Sequence, residues 1–203
     1  MRVRVRNHVN PLSPAFSVLR GRRPDIPRGM PVEVEVGCAD AQFLFERAAR
    51  CPDRFYVGLE IREELVDAVN RRATDEGVPV CAVFCNANEH LRELFDPESI
   101  SRIYINFPDP WFKRRHRKRR MVDAGLARDC ARALAGGGEL FVQTDVWDVA
   151  LDALAAFDGV LDNRAGEWSF WKQGNPFGAT SWRERQCAAR GRPVWRLLFD
   201  KPA

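Results

Sequence analysis

Residues 32–61 read VEVEVGCADAQFLFERAARCPDRFYVGLEI, and this stretch decides the fold. Val32 to Val36 and Phe55 to Ile61 are strand candidates, and Ala39 to Arg50 between them has the apolar spacing of a helix. A strand, a helix and a second strand in this order predict two parallel strands joined by a right-handed crossover. The stretch therefore predicts the beginning of an α/β domain.

The alternation of strands and helices continues to the C-terminus. We expect further strands at Val80–Phe84, Ile103–Phe107, Glu139–Thr144 and Val194–Phe199, and further helices at Arg62–Glu76, Ala87–Phe95, Arg119–Leu134 and Val146–Phe157. Glycines 136–138 are predicted to end the third of these helices. This order predicts a doubly wound α/β sheet whose ligand lies beyond the carboxyl ends of its strands. Residues 1–30 have no steady period, and we interpret them as an irregular or mobile arm before a single domain at residues 31–203.

Length and composition favour one globular domain. The chain has 203 residues, of which 45% are apolar, and no apolar run approaches the roughly 20 residues that cross a bilayer. The first residues, MRVRVRNHVNP, lack the apolar segment of a signal peptide, so we predict a cytoplasmic protein. The six cysteines form no C-x-x-C pair, which favours reduced thiols over a zinc site.

Positive charge is concentrated in one segment of the chain. Residues 113–120 read KRRHRKRR, and removing these seven charges from the net charge of +4 leaves −3 for the rest of the protein. A block of like charge this dense repels itself unless a polyanion neutralises it, and counterion release makes nucleic acid a natural partner. A solvated charge run or a localisation signal is the alternative.

The ends of the first three predicted strands carry residues suited to an adenosine-containing ligand. Gly37 lets the backbone approach a ligand at a helix N-terminus, although a plain turn has the same requirement, and the dinucleotide pattern G-x-G-x-x-G is absent. Glu60, 23 residues later, is placed to accept both hydroxyls of a ribose, or else lies at a helix start where the helix dipole favours it. Asn86 pairs with an adenine edge, caps a helix in a capping box with Glu89, or does both.

The fourth strand end reads YINFPDPWFK, residues 104–113, and is the most informative segment. Asp109 stands between two prolines, which predicts a stiff loop that presents a carboxylate beside the ring of Trp111. A carboxylate, aromatic rings and the adjacent cations suit a flipped-out base with its phosphates clamped nearby, while a structural turn is the alternative. Asp145, after the fifth strand, brings a second carboxylate to the same rim.

The string PDPWFKRRHRKRR, residues 108–120, closely resembles the signature of the tRNA (guanine-N7)-methyltransferases. The resemblance continues in VEVGC, GLEIR, Thr144-Asp145 and SWRERQCAARGRPVW, so that it spans residues 32–199. It implies a Rossmann-like class I methyltransferase fold, mostly parallel with one antiparallel C-terminal strand. It also implies methyl transfer from S-adenosylmethionine to N7 of a guanine in tRNA, at position 46 of the variable loop, by a monomer or homodimer.

The resemblance also assigns roles to individual positions. It makes Asp109 the catalytic residue. The implied cofactor-binding residues are Glu35, Gly37, Glu60, Ile61, Asn86 and Ala87, and the implied substrate-binding residues are Lys113, Asp145, Thr180, Ser181 and Glu184. The family's T-x-x-E motif falls on Ser181 and Glu184 if its spacing to Gly191 is kept, or begins at Thr180 with Arg183 at the acidic position. Residues 37–41 read GCADA, where most relatives have further glycines.

Two other functions stay open at this point. Asn106-Phe107-Pro108 is similar to the Asn-Pro-Pro-aromatic loop of amino-methyltransferases that act on adenine, although Phe107 interrupts the spacing. An RNA-binding protein with a decayed methyltransferase site is the second, because the first loop is poor in glycine. Guanine N7 has a lone pair and needs no base, so the carboxylates would accept guanine N–H groups or stabilise the charge that develops on the ring.

Overall fold

The computed structural model describes residues 9–203, so that residues 1–8 of the predicted arm lie outside the described residues. Its strands are β1 (Val32–Val36), β2 (Phe55–Glu60), β3 (Val80–Phe84), β4 (Ile100–Asn106), β5 (Leu134–Thr144), β6 (Asp162–Asn163) and β7 (Trp195–Asp200). Its α-helices are α1 (Gln42–Arg50), α2 (Glu63–Glu76), α3 (Ala87–Leu94), α4 (Ala124–Ala133), α5 (Trp147–Phe157) and α6 (Trp182–Ala189). Two short 3₁₀ helices cover Pro14–Phe16 and Arg114–Arg119.

The strands form one sheet in the order β3-β2-β1-β4-β5-β7-β6. Strands β1 to β5 pair in parallel, and β7 lies antiparallel between β5 and β6. The strand order reverses at β1, which gives the doubly wound topology that the sequence predicts, with its ligand crevice at the carboxyl edge of β1 and β4. The predicted antiparallel C-terminal strand is confirmed as β7.

Strand β1 is buried on both faces of the sheet, which its alternating sequence does not suggest. Val32, Val34 and Val36 belong to the larger apolar cluster, which also contains residues of α3, α4 and α5. Glu33 points to the other face, where it is fully buried and accepts hydrogen bonds from Arg47 and from the Tyr104 hydroxyl at 2.6 to 3.1 Å. A carboxylate in that position is tolerated because cations and a hydroxyl replace the water that it loses.

The helix predicted at Arg119–Leu134 differs from the structure. Only its first residue, Arg119, is helical there, as the last residue of a separate 3₁₀ helix, and residues 120–123 are not helical. Helix α4 begins only after Asp123, whose side chain accepts a hydrogen bond from the Leu126 amide at 2.8 Å. Glycines 136–138 do not end this helix, since they lie inside β5. The pairing of β4 with β5 shifts register there, from Ile100 opposite Leu134 to Arg102 opposite Glu139. Glycine tolerates such an irregular strand segment as readily as a helix end.

The described part of the arm, residues 9–30, contains turns and a 3₁₀ helix but no strand or α-helix, and it packs on the β3 and α3 side of the sheet. Arg23 anchors it by donating to the Glu93 carbonyl at 2.7 Å and pairing with Asp96. Phe16 contacts the ring of Phe84 edge-on. Within residues 9–203, no helix is both long and apolar enough to cross a membrane.

Candidate active site

The carboxyl ends of β1 to β4 surround a cavity of about 370 Å³. This volume is in the range of sites that hold a cofactor or a small ligand. Of the predicted site residues, those that line it are Glu35, Gly37, Glu60, Ile61, Asn86, Ala87, Asp109 and Ser181. Val9, Pro11 and Leu12 of the arm also line it, and the sequence carries no signal for their presence. The cavity is therefore built from four strand ends, the arm and the first turn of α6.

The loop after β1 bends through a series of left-handed residues. Gly37 has φ +77°, and a Cβ there would lie 2.9 Å from the Cε of Met121. Ala39 and Ala41 also have φ of 52°, a conformation that costs an alanine roughly 1–2 kcal/mol. These two alanines lie in the GCADA loop, residues 37–41. Surrounding contacts hold the strained backbone in place, as is usual at functional sites.

Glu60 is one of the groups that hold this loop. Its Oε2 accepts the Ala39 amide at 2.9 Å, and its Oε1 accepts the Ile61 and Arg62 amides at 2.9 and 3.0 Å. The Arg62 guanidinium pairs with both carboxylate oxygens at 2.8 and 2.9 Å, and this hydrogen bonding raises the pKa of Arg62. Arg62 also lines the cavity, so a ribose that reaches Glu60 must share the carboxylate with it. The sequence GLEIR shows that an arginine follows Glu60, but it does not show that the arginine side chain pairs with the Glu60 carboxylate.

Glu35 is the buried carboxyl of the cavity, at 3% exposure. Its Oε1 accepts the side-chain amide of Asn106 at 2.8 Å, while its Oε2 is buried without a hydrogen-bond partner among the described residues. Burial raises the pKa of Glu35 from 4.5 to about 8, and the charges of Asp40 and Glu60 act in the same direction. An unpaired buried oxygen of this kind fits a ligand that brings a donor or a positive charge.

A chain of side-chain hydrogen bonds leads from Glu35 to α6. Asn106 donates to Glu35 and accepts from the Gln143 side chain at 2.8 Å. Gln143 is fully buried and donates also to Glu184 at 3.0 Å, and Arg196 pairs with the other oxygen of Glu184 at 2.9 Å. Neither Asn106 nor Gln143 was among the predicted site residues, because an amide near a strand end has many possible roles. Their position joins Glu35 in the cavity to the segment with the predicted T-x-x-E motif.

Asn86 occupies the N-cap position of α3, but the capping box expected with Glu89 does not form. The Asn86 side chain makes no cap hydrogen bond and instead donates to the Pro11 carbonyl at 3.1 Å. The arm competes successfully for this donor because it passes directly over the strand end. Asn86 therefore ties the arm to the cavity wall.

The Pro108–Pro110 loop lies between two left-handed residues, Phe107 with φ +50° and Trp111 with φ +43°. Pro108 is buried, and the Pro110 carbonyl accepts the Arg120 guanidinium at 2.8 Å. This fixes a loop that presents Asp109 to the cavity. Trp111 lies beside it, with the Arg119 guanidinium 5.1 Å from its ring centre. Strain at two residues and a stapled carbonyl are the local signature of a functional loop.

The basic run divides into two groups. Arg117 and Arg120 both pair with Asp152 of α5, and Arg119 covers Trp111. Burial acts to raise the pKa of Asp152, but the hydrogen bonds from these two arginines hold that pKa below its usual value. Lys113, Arg114, Arg115 and Lys118 are exposed. The first group seats the 3₁₀ helix against α5, and the second group is exposed, with Lys118 also lining the cavity.

The remaining predicted substrate residues lie on α6 and its surroundings. Ser181 is the N-cap of α6 and accepts the Glu184 amide at 3.2 Å, while Glu184 is buried between Gln143, Asn175 and Arg196. The Thr180 amide donates to Glu46, and Asp145 pairs with Arg183 at 2.6 Å. Lys113, Asp145, Thr180 and Glu184 are not among the residues that line the cavity. Their substrate roles stay predictions.

Comparison with known proteins adds to this geometry. Residues 29–197 match the model of a family described as "Putative methyltransferase". Relatives named tRNA (guanine-N(7)-)-methyltransferase include one from Synechococcus sp. (strain JA-3-3Ab), 36% identical over 98% of this chain and 86% of its own length. A second, from Nostoc sp. (strain PCC 7120 / SAG 25.82 / UTEX 2576), is 38% identical over 98% of this chain and 94% of its own length. Among solved structures, geranyl diphosphate C-methyltransferase from Streptomyces coelicolor A3(2) has a TM-score of 0.55 at 14% identity, covering 85% of this chain and 76% of that one.

The sheet order, the cavity at its carboxyl edge and the solved structures define the class I methyltransferase fold. The solved structures show the fold alone, since their identity to this chain is low. The sequence relatives are far closer and nearly full length. The chain belongs to the tRNA (guanine-N7)-methyltransferase family.

Proposed function

We propose that this protein transfers the methyl group of S-adenosylmethionine to N7 of a guanine in tRNA, with Asp109 as its catalytic residue and position 46 of the variable loop as its target. The chain is an enzyme of the tRNA (guanine-N7)-methyltransferase family. The observation that carries the residue assignment is the stapled Pro108–Pro110 loop, which holds Asp109 on the cavity beside the exposed cations of the basic run. A cytoplasmic location and a monomeric or homodimeric state stay predictions.

The cavity residues fit S-adenosylmethionine, which when bound supplies an electrophilic methyl group on a sulfonium. Glu60 offers a carboxylate for ribose hydroxyls, with Ile61 beside it, and Asn86 and Ala87 begin the helix that would border the adenine. Glu35 offers a buried oxygen without a donor, which suits the positively charged end of such a ligand. Gly37 keeps the backbone between these groups free of a side chain.

On the substrate side, Asp109 is the carboxylate best placed to meet a base. Of the three carboxylates predicted to act on guanine, Asp109 lines the cavity, whereas Asp145 and Glu184 do not. Methylation places positive charge on the guanine ring, and a fixed carboxylate nearby stabilises that charge or accepts a ring N–H. No general base is needed because N7 has a lone pair. The arginine-paired carboxylates can orient the arginines toward phosphates instead.

Replacing Asp109 with asparagine or alanine tests the assignment. We expect calorimetric binding of S-adenosylmethionine to survive, while methyl transfer to a tRNA transcript falls by about 100-fold or more. Asp53→Asn is the matched control, because Asp53 is exposed before β2, at the opposite edge of the sheet. Nucleoside mass spectrometry of the wild-type product identifies 7-methylguanosine and its position. Near-normal turnover of both Asp109 variants would remove this residue from the mechanism.

The exposed cations of the basic run are proposed to bind tRNA phosphates. Replacing Lys113, Arg114, Arg115 and Lys118 with glutamine should weaken tRNA binding and flatten the plot of log affinity against log salt, by about 0.7–0.9 for each phosphate that the variant no longer neutralises. Arg71→Gln, an exposed charge on α2, is the control for a change in net charge. An unchanged slope in the fourfold variant would contradict the role.

A further inference from the structure

An aromatic cluster stands at the carboxyl edge of β5, outside the cavity described above. The ring of Trp147, in the first turn of α5, lies 5.3 Å from the ring centres of both Phe170 and Trp195. Trp195 begins β7 opposite Thr144, the last residue of β5, so the cluster shares the edge on which the catalytic loop stands. Trp147 is 46% exposed, and Leu151, one turn further along α5, is exposed on the same side. The Trp147 ring therefore stays nearly half exposed while the rings of Phe170 and Trp195, tilted by 43° and 57° to it, support it.

Arginines are held by aspartates on α5, the helix that carries Trp147, and just before it. Arg117 of the basic 3₁₀ helix pairs with Asp152 of α5. This hydrogen bond is the main cause of the raised pKa of Arg117, and the negative charge of Asp148, next to Trp147, raises it further. Asp145, two residues before Trp147 in the sequence, pairs with Arg183 at 2.6 Å and with Arg192 at 3.9 Å. Two groups of arginines, each paired with an aspartate, are therefore held close to Trp147 in the chain, one by α5 and one by Asp145.

We propose that Trp147, supported by Phe170 and Trp195, is a stacking platform for an unpaired tRNA base next to the target guanine. Proteins bind single-stranded RNA by combining a cationic groove with exposed rings on which bases stack, and both elements are present here. Taking a guanine out of a folded tRNA unstacks its neighbours, which then need a new partner. The proposal rests on the proposed function and adds the binding site for a second nucleotide.

The test compares Trp147→Leu with Trp147→Phe. Leucine keeps apolar packing on Phe170 and Trp195 but has no flat face, so we expect tRNA binding to weaken by about 10-fold. Phenylalanine should restore most of the affinity. Because stacking releases no counterions, the salt slope should stay that of the wild type in both variants, and S-adenosylmethionine binding should not change. A penta-uridylate should quench the tryptophan fluorescence of the wild type more than that of Trp147→Phe.

Several results would overturn the platform. These are wild-type tRNA affinity in Trp147→Leu, no recovery in Trp147→Phe, or an altered salt slope. Dissociation of a dimer in the leucine variant, measured by light scattering, would assign the surface to a second subunit and reject RNA. Methyl transfer by the wild type is measured in parallel. Its absence would reject the proposed function, whereas the stacking platform is tested separately by the tRNA affinities of the two variants. Thermal unfolding of each variant shows that the comparison is between folded proteins.

Discussion

Replacing Glu35 with glutamine makes the electrostatics of the cofactor cavity measurable. Glu35 is buried with one hydrogen-bond partner, and burial raises its pKa from 4.5 to about 8. The folded protein therefore holds this proton more tightly than the unfolded chain does. The contribution of Glu35 to stability is fully present below pH 4.5 and is lost as the pH rises through 8. Glutamine has the shape of the protonated form and does not ionise, so its contribution does not depend on pH.

The size of the effect follows from the two pKa values. A difference of 3.5 units amounts to at most about 5 kcal/mol of stability, lost in full above pH 8. Between pH 6 and pH 8 the wild type should lose about 2 kcal/mol relative to Glu35→Gln. For a chain of this length, that corresponds to a relative shift in Tm of roughly 4–8 °C.

Urea unfolding of both proteins at the two pH values measures this difference, because the pH dependence of all other groups is common to them. Glu63→Gln is the matched control, since it removes a carboxylate that is exposed in the first turn of α2. Parallel pH profiles for wild type and Glu35→Gln would refute the reasoning. The same proton should be released when S-adenosylmethionine binds, so the calorimetric enthalpy of the wild type should depend on the ionisation heat of the buffer and that of Glu35→Gln should not.

Three further changes test the structure around the site. Gly37→Ala should lower the free energy of unfolding by about 1–2 kcal/mol and weaken cofactor binding. Gly77→Ala, with a similar positive φ but no neighbour within 4 Å, should lower stability by a similar amount and leave calorimetric cofactor binding unchanged. Equal losses of binding in both variants would show that the close approach of Met121 is not the cause. Arg47→Met leaves Glu33 buried with fewer cations and should lower the free energy of unfolding by about 3 kcal/mol in urea, and a loss below 1 kcal/mol would show that the other arginines suffice. Gln143→Leu breaks the chain of hydrogen bonds between Asn106 and Glu184, so we expect a stability loss of about 1–3 kcal/mol and a raised KM for tRNA at an unchanged kcat. An unchanged KM would show that Gln143 supports only the fold.

Much of the cavity could be predicted from where polar residues follow apolar strands. Gly37, Glu60, Asn86 and Asp109 are far apart in the sequence, yet the carboxyl ends of parallel strands meet at one edge, and all four line the same cavity. The prediction needed only the alternation of elements and the handedness of the crossover. The catalytic and binding roles of these residues are a separate matter and stay predictions.

The parts that escaped prediction depend on contacts between distant segments. Nothing in the letters of Ala39 and Ala41 indicates a left-handed backbone, which exists because Glu60 and the strand end hold the loop. The arm reaches Asn86 from 75 residues away in the sequence, and so the expected helix cap was replaced. Glycines 136–138 fit a helix end and an irregular strand equally well, and only pairing with β4 distinguishes the two.

Asp152 bears on how fast and how tightly RNA is captured. A sequence of seven cations would ordinarily be a loose tail that gives up its conformational freedom when it meets a polyanion. Here one carboxylate of α5 clamps two of its arginines, so the ordering has already happened during folding. If the basic run binds tRNA as proposed, an incoming tRNA meets a preorganised row of charge, and the encounter keeps more of its electrostatic free energy as affinity. Removing the Asp152 carboxylate would free Arg117 and Arg120, so that the basic segment becomes flexible. The other charges would stay the same, but a bound tRNA would reach its productive position more slowly.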